Sequence, residues 1–233
     1  MKFIIEDKVF EILPEVCFGV VTAKSLDNNR GNTEIWDFLE QAIEEARHKF
    51  QAVKPKEHPD LQPYRDAFKK LGINPNKFPC SVEALTTRIV KGGSLPDINP
   101  AVNLVNAYSL KYTLPMGAHD LDATDVNIEV RFSRSDDIFI PFGQTDPEQP
   151  DENELVYAGG NTIKTRKWIW RQSDWGKVTA ESKNIFFPID GFTCYNLEAV
   201  MMARNELAAD LQQFLNARTS VFLLDKNNRA VQL

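Results

Sequence analysis

Hydrophobic positions near the start of the chain fall in short runs, and the spacing then becomes helical. Residues 3–5, 9–13 and 17–22 are apolar and rich in β-prone side chains, and Pro14 separates the second run from the third. Such short runs predict three strands. Over residues 35–50 apolar positions recur at helical spacing with glutamates on the opposite face. This spacing predicts a helix that Asn32 or Thr33 caps.

The middle of the chain predicts three helices in close succession, over residues 64–71, 82–90 and 101–112. Gly72 follows the first and Gly92 the second, and glycine commonly ends a helix because it tolerates a positive φ. Pro100 suits the first turn of the third helix.

After Pro115 the pattern is mainly that of strands. Ile128, Val130 and Phe132 alternate with polar neighbours at the period of a half-buried strand. Further strands are predicted over residues 138–142, 155–158, 167–172, 185–189 and 221–224, and a helix over residues 197–214. Without an internal repeat or a long linker, this mixture predicts an α+β fold in a single domain, residues 1–233.

Charge and composition narrow the class of protein. The net charge of -6 argues against a protein that holds nucleic acid by its overall field, so we expect no DNA partner and only local contact with RNA. Residues 144–154 contain five acidic side chains and predict an exposed loop that repels phosphate. No apolar run approaches the ~20 residues that cross a bilayer, and the first apolar run is too short for a signal peptide. We therefore expect a cytoplasmic protein with no membrane partner.

Cysteines and histidines indicate neither a disulfide framework nor a metal site. The three cysteines are odd in number and far apart, which is typical of reduced thiols. The three histidines have no spacing with them that suggests zinc ligands. We expect no metal and no cofactor.

Several short motifs occur in a fixed order between residues 71 and 122. They include Leu71-Gly72-Ile73-Asn74-Pro75, Ser81-Val82-Glu83-Ala84-Leu85, Ile98-Asn99-Pro100, Leu114-Pro115 and Asp120-Leu121-Asp122, and fainter matches continue through Trp168-Ile169-Trp170-Arg171-Gln172 and residues 178–184. In this order the chain resembles free-standing relatives of the tRNA-editing domain of the phenylalanyl-tRNA synthetase beta subunit, the B-three/four domain family. The resemblance covers residues 60–225, with residues 1–59 expected as strands and a helix packed on that core.

The resemblance implies a fold of packed mixed β-sheets flanked by helices and a hydrolytic function. Within the synthetase, this domain hydrolyses tyrosine wrongly esterified to the phenylalanine tRNA. A chain of 233 residues has no room for an aminoacylation core beside it, so a ligase is not expected. The implied activity is hydrolysis in trans of a misacylated aminoacyl-tRNA or a related aminoacyl ester, with the aminoacyl-adenosine end as the bound part.

Three residues are the candidate catalytic groups: Asn106, His119 and Asp120. An aminoacyl ester is already activated, so its cleavage needs only a positioned water, a polarised carbonyl and a pocket that sorts side chains. Gly117 stands where the synthetases have histidine, and His119 could position water or act as a base, or simply pack at the surface. Asn106 could hold the amino group, the ribose or water, or tether the following loop. Asp120 could orient His119 or cap a turn.

The candidate substrate-binding residues are Glu83, Arg88, Asn103, Ser109, Gly117, Arg171, Gln172, Ser173 and Ser182. Arg171 is the best candidate for binding a phosphate or a substrate carbonyl. The basic segment around it, residues 164–171, is equally compatible with a solvated strand edge. Ser182 stands where the synthetases have threonine, and its hydroxyl could separate tyrosine from phenylalanine by bonding the phenol. Glu83, Arg88 and Asn103 are equally compatible with structural or surface roles.

Two other functions stay open at this point. The acidic balance and the missing histidine at Gly117 are compatible with a non-catalytic module that binds RNA, a nucleotide or an amino acid. A domain that binds a protein partner through the acidic loop is the third possibility.

Overall fold

Two β-sheets form the centre of the computed structural model, which describes residues 1–29 and 31–233. Their strands are β1 (Lys2–Ile5), β2 (Val16–Lys24), β3 (His119–Asp120), β4 (Ile128–Phe132), β5 (Leu155–Gly159), β6 (Thr162–Arg166), β7 (Arg171–Gln172), β8 (Ile185–Phe192), β9 (Arg218–Leu224) and β10 (Ala230–Gln232). One sheet has the order β10-β1-β4-β5-β6-β7 and the other β3-β8-β2-β9. Strands β1 and β4 are parallel, and the other neighbours are antiparallel.

The helices lie between these strands in the chain. They are α1 (Asp7–Ile12), α2 (Thr33–Lys49), α3 (Gln62–Lys70), α4 (Ser81–Val90), α5 (Pro100–Tyr112) and α6 (Leu197–Leu215), with 3₁₀ turns at Pro55–Glu57 and Pro59–Leu61. The Asn32 side chain accepts a hydrogen bond from the Ile35 N–H, so the predicted cap of α2 is confirmed. Gly72 and Gly92 follow α3 and α4 with φ of 73° and 83°, as the sequence predicts. The α+β class is confirmed.

An aromatic layer joins the two sheets. The Phe3 ring on β1 lies 6.0 Å from the Phe18 ring on β2, 6.0 Å from the Tyr157 ring on β5 and 4.8 Å from the Phe186 ring on β8, measured between ring centroids. All four side chains are buried. Burial of each ring stabilises the fold by roughly 1.5–3 kcal/mol, so this layer is a main determinant of how the sheets pack.

Helices α5 and α6 pack on the four-stranded sheet, and α2 packs on α5. Gly19 on β2 and Gly191 on β8 allow α6 to approach closely. A Cβ atom at either position would lie 2.7 Å or 2.4 Å from a methyl group of Val200. No helix of the described residues is long and apolar enough to cross a bilayer.

The prediction of a strand over residues 9–13 is wrong, because this segment lies in α1 and its C-terminal cap. Val9 and Phe10 face the core while Lys8 and Glu11 face solvent, a pattern that a short helix satisfies as well as a strand. A run this short does not separate the two periods. Strand β1, near the start of the chain, pairs with β10 near its end and with β4. These pairings join segments that are far apart in the chain.

Two other strand predictions are also wrong. Residues 138–142 form only isolated bridges, among them Phe139 with Glu148. In residues 167–172 the chain turns at Lys167 and Trp168, whose φ angles are 47° and 61°, and only β7 is a strand. A strand with one buried face would bury only one of two successive side chains, but Lys167 and Trp168 are both buried.

Charges near this turn are buried and paired, which corrects two further predictions. Glu154, expected in the exposed acidic loop, is buried and accepts hydrogen bonds from Arg166 at 2.8 Å and Lys167 at 2.9 Å. Asp151 accepts from Lys167 at 2.5 Å. The basic segment is thus not a solvated strand edge, because Lys164, Arg166 and Lys167 are all buried.

Candidate functional site

A cavity of about 70 Å³ lies where the edge strands β3 and β7 of the two sheets approach each other. The Gln172 side chain donates to the Ala118 carbonyl at 2.8 Å and so links the two edges. Ser81, Gly117, Trp170 and Gln172 line the cavity and are partly exposed, which places them at its mouth. Its volume corresponds to roughly five water molecules.

The floor of the cavity is aromatic, and His119 is part of it. The imidazole is 2% exposed and stacks on the rings of Tyr157 and Phe186, at 6.0 Å and 6.1 Å between centroids and with interplanar angles of 28° and 23°. Burial lowers the pKa of His119 to about 3, and the positive charge of Lys164 acts in the same direction. The imidazole is therefore neutral at pH 7. Its Nδ1 atom is enclosed without a hydrogen-bond partner among the described residues.

Gly117 leaves the space beside His119 open. A Cβ atom at this position would lie 3.6 Å from Nε2 of His119 and 3.5 Å from Pro188, both ordinary contact distances. The backbone there has no positive φ, so a larger residue is sterically possible. A side chain at position 117 would therefore lie against Nε2 of His119.

Asp190 on β8 is a cavity residue that the sequence reasoning missed. The side chain is 2% exposed, and its Oδ1 accepts hydrogen bonds from the Tyr157 hydroxyl and from Nε1 of Trp168, both at 2.7 Å. Burial raises the pKa of Asp190 to about 7, although both hydrogen bonds oppose this shift. An acidic residue directly after the apolar run 185–189 is the signal that could have identified it.

Asp120 and Ser182 form a polar cluster next to β3. The Ser182 hydroxyl donates to Oδ2 of Asp120 at 2.5 Å, and Oδ1 of Asp120 accepts from the Asp122 N–H at 2.8 Å, which caps a turn. Lys164 is 1% exposed, and its Nζ has no hydrogen-bond partner among the described residues. Burial lowers the pKa of Lys164, and the negative charge of Asp120 opposes this.

Besides Gln172 and Ser182, four other predicted substrate-binding side chains have hydrogen-bond partners within the chain. Glu83 accepts from Arg65 at 2.6 Å, and Asn103 donates to Asp97 at 2.7 Å. The hydroxyl groups of Ser109 and Ser173 donate to the carbonyls of Leu114 and Ile140, at 2.7 Å and 2.9 Å. These contacts stabilise local structure.

The three remaining predicted residues lie outside the cavity lining. Asn106 is a partly exposed residue of α5, and Arg88 is exposed on α4. Arg171 is partly exposed, with its guanidinium carbon 6.0 Å from the Trp170 ring centroid. The cavity thus brings together Gly117, His119 and Gln172, and the catalytic and binding roles of all these residues stay predictions.

No group of three or more His, Cys, Asp or Glu side chains in residues 1–29 and 31–233 is arranged to hold a metal ion. Burial raises the pKa of Cys17 and of Cys80 to about 12, so both are protonated thiols. Cys194 is exposed and does not line the cavity.

We expect His119 and Asp190 to contribute opposite pH dependences to stability. Below pH 6.5 the unfolded chain takes up a proton on His119 and the folded chain does not, so acid lowers the free energy of unfolding. Between pH 3.8 and about 7 the folded chain keeps a proton on Asp190 that the unfolded chain has lost, so a rise in pH lowers the free energy of unfolding. Between pH 4.5 and 6 each effect amounts to about 2 kcal/mol, and the two nearly cancel.

Urea unfolding of two variants at pH 4.5 and 6.0 separates these contributions. Between pH 4.5 and pH 6.0 the free energy of unfolding of the His119→Phe chain should fall by about 2 kcal/mol relative to the wild type. That of the Asp190→Asn chain should rise by about as much. His48→Phe, at an exposed histidine, is the control. Parallel pH profiles for all four proteins would contradict the buried, shifted state of both groups.

Comparison with known proteins finds a matching family and a similar solved structure. A family model described as the B3/4 domain matches residues 63–221, more than half of the chain. Among solved structures, an N-terminal fragment of the phenylalanyl-tRNA synthetase beta-subunit from Pyrococcus horikoshii is similar, with 12% sequence identity and a TM-score of 0.48. The alignment covers 93% of this chain and 49% of that chain, so this chain spans about half of its length. No curated protein matches the sequence.

Proposed function

Since the chain belongs to the B3/4 domain family, we propose that its cavity hydrolyses, in trans, the ester bond of a misacylated aminoacyl-tRNA. The family membership and the ordered motifs of residues 71–122 support a role connected with tRNA editing. The observation that carries the hydrolytic role is the meeting of Gly117, His119 and Gln172 at one aromatic cavity. The volume of about 70 Å³ accommodates a small aminoacyl group, while the ribose and the rest of the tRNA stay outside the mouth.

The chemistry that these residues support is direct attack by water. His119 is neutral at pH 7, and in the tautomer that carries its proton on Nδ1, Nε2 accepts a hydrogen bond from a water molecule and orients it towards the ester carbon. The water oxygen bonds to that carbon, the bond to the ribose oxygen breaks, and a proton of the water passes to the ribose oxygen. Ser81, the first residue of α4, places a hydroxyl donor at the mouth that polarises the carbonyl. No covalent intermediate is needed, because the ester is already activated.

Purified protein incubated with a panel of aminoacyl-tRNAs tests this proposal. We expect release of at least one amino acid above the buffer rate. Gly117→Leu should lower kcat/KM roughly tenfold or more, because its side chain fills the space over His119. Gly31→Leu, at an exposed glycine outside the cavity with open space around it, is the matched control and should retain full activity.

Two results would contradict the proposal. One is the absence of hydrolysis for every aminoacyl-tRNA tested. The other is a Gly117→Leu chain that folds, as thermal unfolding would show, and hydrolyses as fast as the wild type.

A non-catalytic binding module is the second candidate, and one observation favours it. The pKa of His119 lies far below neutrality, so its imidazole is a weak proton acceptor compared with a base whose pKa is near the working pH. Calorimetry with a non-hydrolysable aminoacyl-adenosine amide distinguishes the two candidates. Stoichiometric binding of the amide, together with no release from the matching aminoacyl-tRNA, would favour the binding module.

A further inference from the structure

We propose that the Asp190 carboxylate is the counter-ion of a free α-ammonium group in the cavity. The cavity would then accept aminoacyl esters and amides whose amine is free, and reject N-acylated and peptidyl ones. This inference rests on the proposed function for the ester, but the recognition of the amine is testable without turnover.

The geometry of Asp190 leaves one carboxylate oxygen for a ligand. Both protein donors, the Tyr157 hydroxyl and Nε1 of Trp168, bond to Oδ1 and hold the carboxylate in one orientation. Oδ2 has no hydrogen-bond partner among the described residues, and it is not fully enclosed by protein atoms. Since Asp190 lines the cavity, Oδ2 is the atom available there.

The charge of the cavity favours a cationic group. Among the described residues that line it, Asp190 is the one acid, and no lysine or arginine lines it. His119 is neutral at pH 7 and supplies no positive charge. Burial keeps the pKa of Tyr157 well above its usual value, so its hydroxyl supplies no negative charge. A buried carboxylate without a cationic partner is costly, and a ligand ammonium supplies that partner.

The walls of the cavity agree with this assignment. Trp168, Tyr157 and Trp170 line it, and the faces of such rings attract an ammonium group. An acyl group on the amine removes the positive charge and adds volume to a cavity of only about 70 Å³. A free amino acid brings a carboxylate that no cationic lining residue stabilises, so esters and amides are the preferred class.

Calorimetry at pH 7.5 with alaninamide and phenylalaninamide tests the inference. Each amide is compared with its N-acetyl form and with the free amino acid. We expect at least one amide to bind about tenfold or more tightly than both comparison compounds. Asp190→Asn should abolish this preference, because its amide oxygen can still accept from Tyr157 and Trp168 but carries no charge. Asp66→Asn, at an exposed acid on α3, should retain the preference.

Several outcomes would overturn the inference. They are equal or tighter binding of the N-acetyl amides, a preference that persists in Asp190→Asn, and binding of none of the amides. Should Asp190→Asn fail to fold, the preference of the wild type for the free amine decides alone.

Turnover separates this inference from the proposed function. Equal hydrolysis of N-acetyl-aminoacyl-tRNA and aminoacyl-tRNA would leave the hydrolytic function standing and overturn the role of Asp190. Tight, amine-dependent binding of the amides without hydrolysis of any aminoacyl-tRNA would support the role of Asp190 and overturn the hydrolytic function.

Discussion

Replacement of His119 by phenylalanine is expected to lower kcat/KM for the proposed aminoacyl-tRNA hydrolysis by about 10²-fold. The phenyl ring keeps the stacking on Tyr157 and Phe186, so the fold should persist. What disappears is Nε2, the acceptor that we propose holds the attacking water beside Gly117. Single-turnover hydrolysis and binding of a non-hydrolysable analogue should show a loss in kcat with an almost unchanged affinity.

The matched control for this experiment is His58→Phe. His58 also packs on an aromatic ring, 4.5 Å from Phe50 between centroids, but it lies away from the cavity. Its replacement should leave hydrolysis unchanged. A His119→Phe chain with wild-type activity would remove the histidine from the mechanism, and an equal loss in both variants would point to a general effect on folding.

Replacement of Arg131 by methionine is expected to lower the free energy of unfolding by about 3–5 kcal/mol. Arg131 on β4 is 1% exposed and binds both oxygens of the fully buried Asp137, at 2.7 Å and 2.6 Å. The same guanidinium donates to the carbonyls of Phe132 and Gly160. Methionine fills much of the volume but leaves the Asp137 carboxylate buried without its cation. Urea unfolding at pH 7 measures the loss.

Two further variants make this test specific. Adding Asp137→Leu to Arg131→Met should restore part of the lost stability, because the second change removes the unpaired charge. Lys69→Met breaks an exposed ion pair with Asp66 and should change stability by no more than about 1 kcal/mol. A single Arg131→Met effect as small as the Lys69→Met effect would show that the buried pair does not stabilise the fold.

The long periodic segments were predictable from sequence because burial on one face imposes a repeat. Helices α2, α5 and α6 lie where the 3.6-residue spacing predicts them, and Asn32 and Gly72 act as the expected end signals. The alternation in β4 is likewise observed. Residues 9–13 were assigned to the wrong element because five residues do not distinguish a helical from a strand period.

The burial of the basic segment, residues 164–171, could not be predicted from its local sequence. Its lysines and arginines suggested a solvated edge, but the buried Glu154 pairs with Arg166 and Lys167, and the exposed Asp151 also accepts from Lys167. Those acids are more than ten positions away in the chain, so only folding brings the charges together. Lys167 and Trp168 also turn the chain with positive φ, which no local pattern predicted.

By itself the sequence determined the α+β class, most helices and strands, and the family. It also identified Gly117, His119 and Gln172 as candidate site residues. These properties follow from periodicity and ordered motifs, which are local properties of a chain. Only the tertiary structure decided that these three residues share a cavity with Asp190, since they come from strands and turns of two different sheets. It also decided their charge states, because the pKa of His119 and the pKa of Asp190 depend on burial between those sheets.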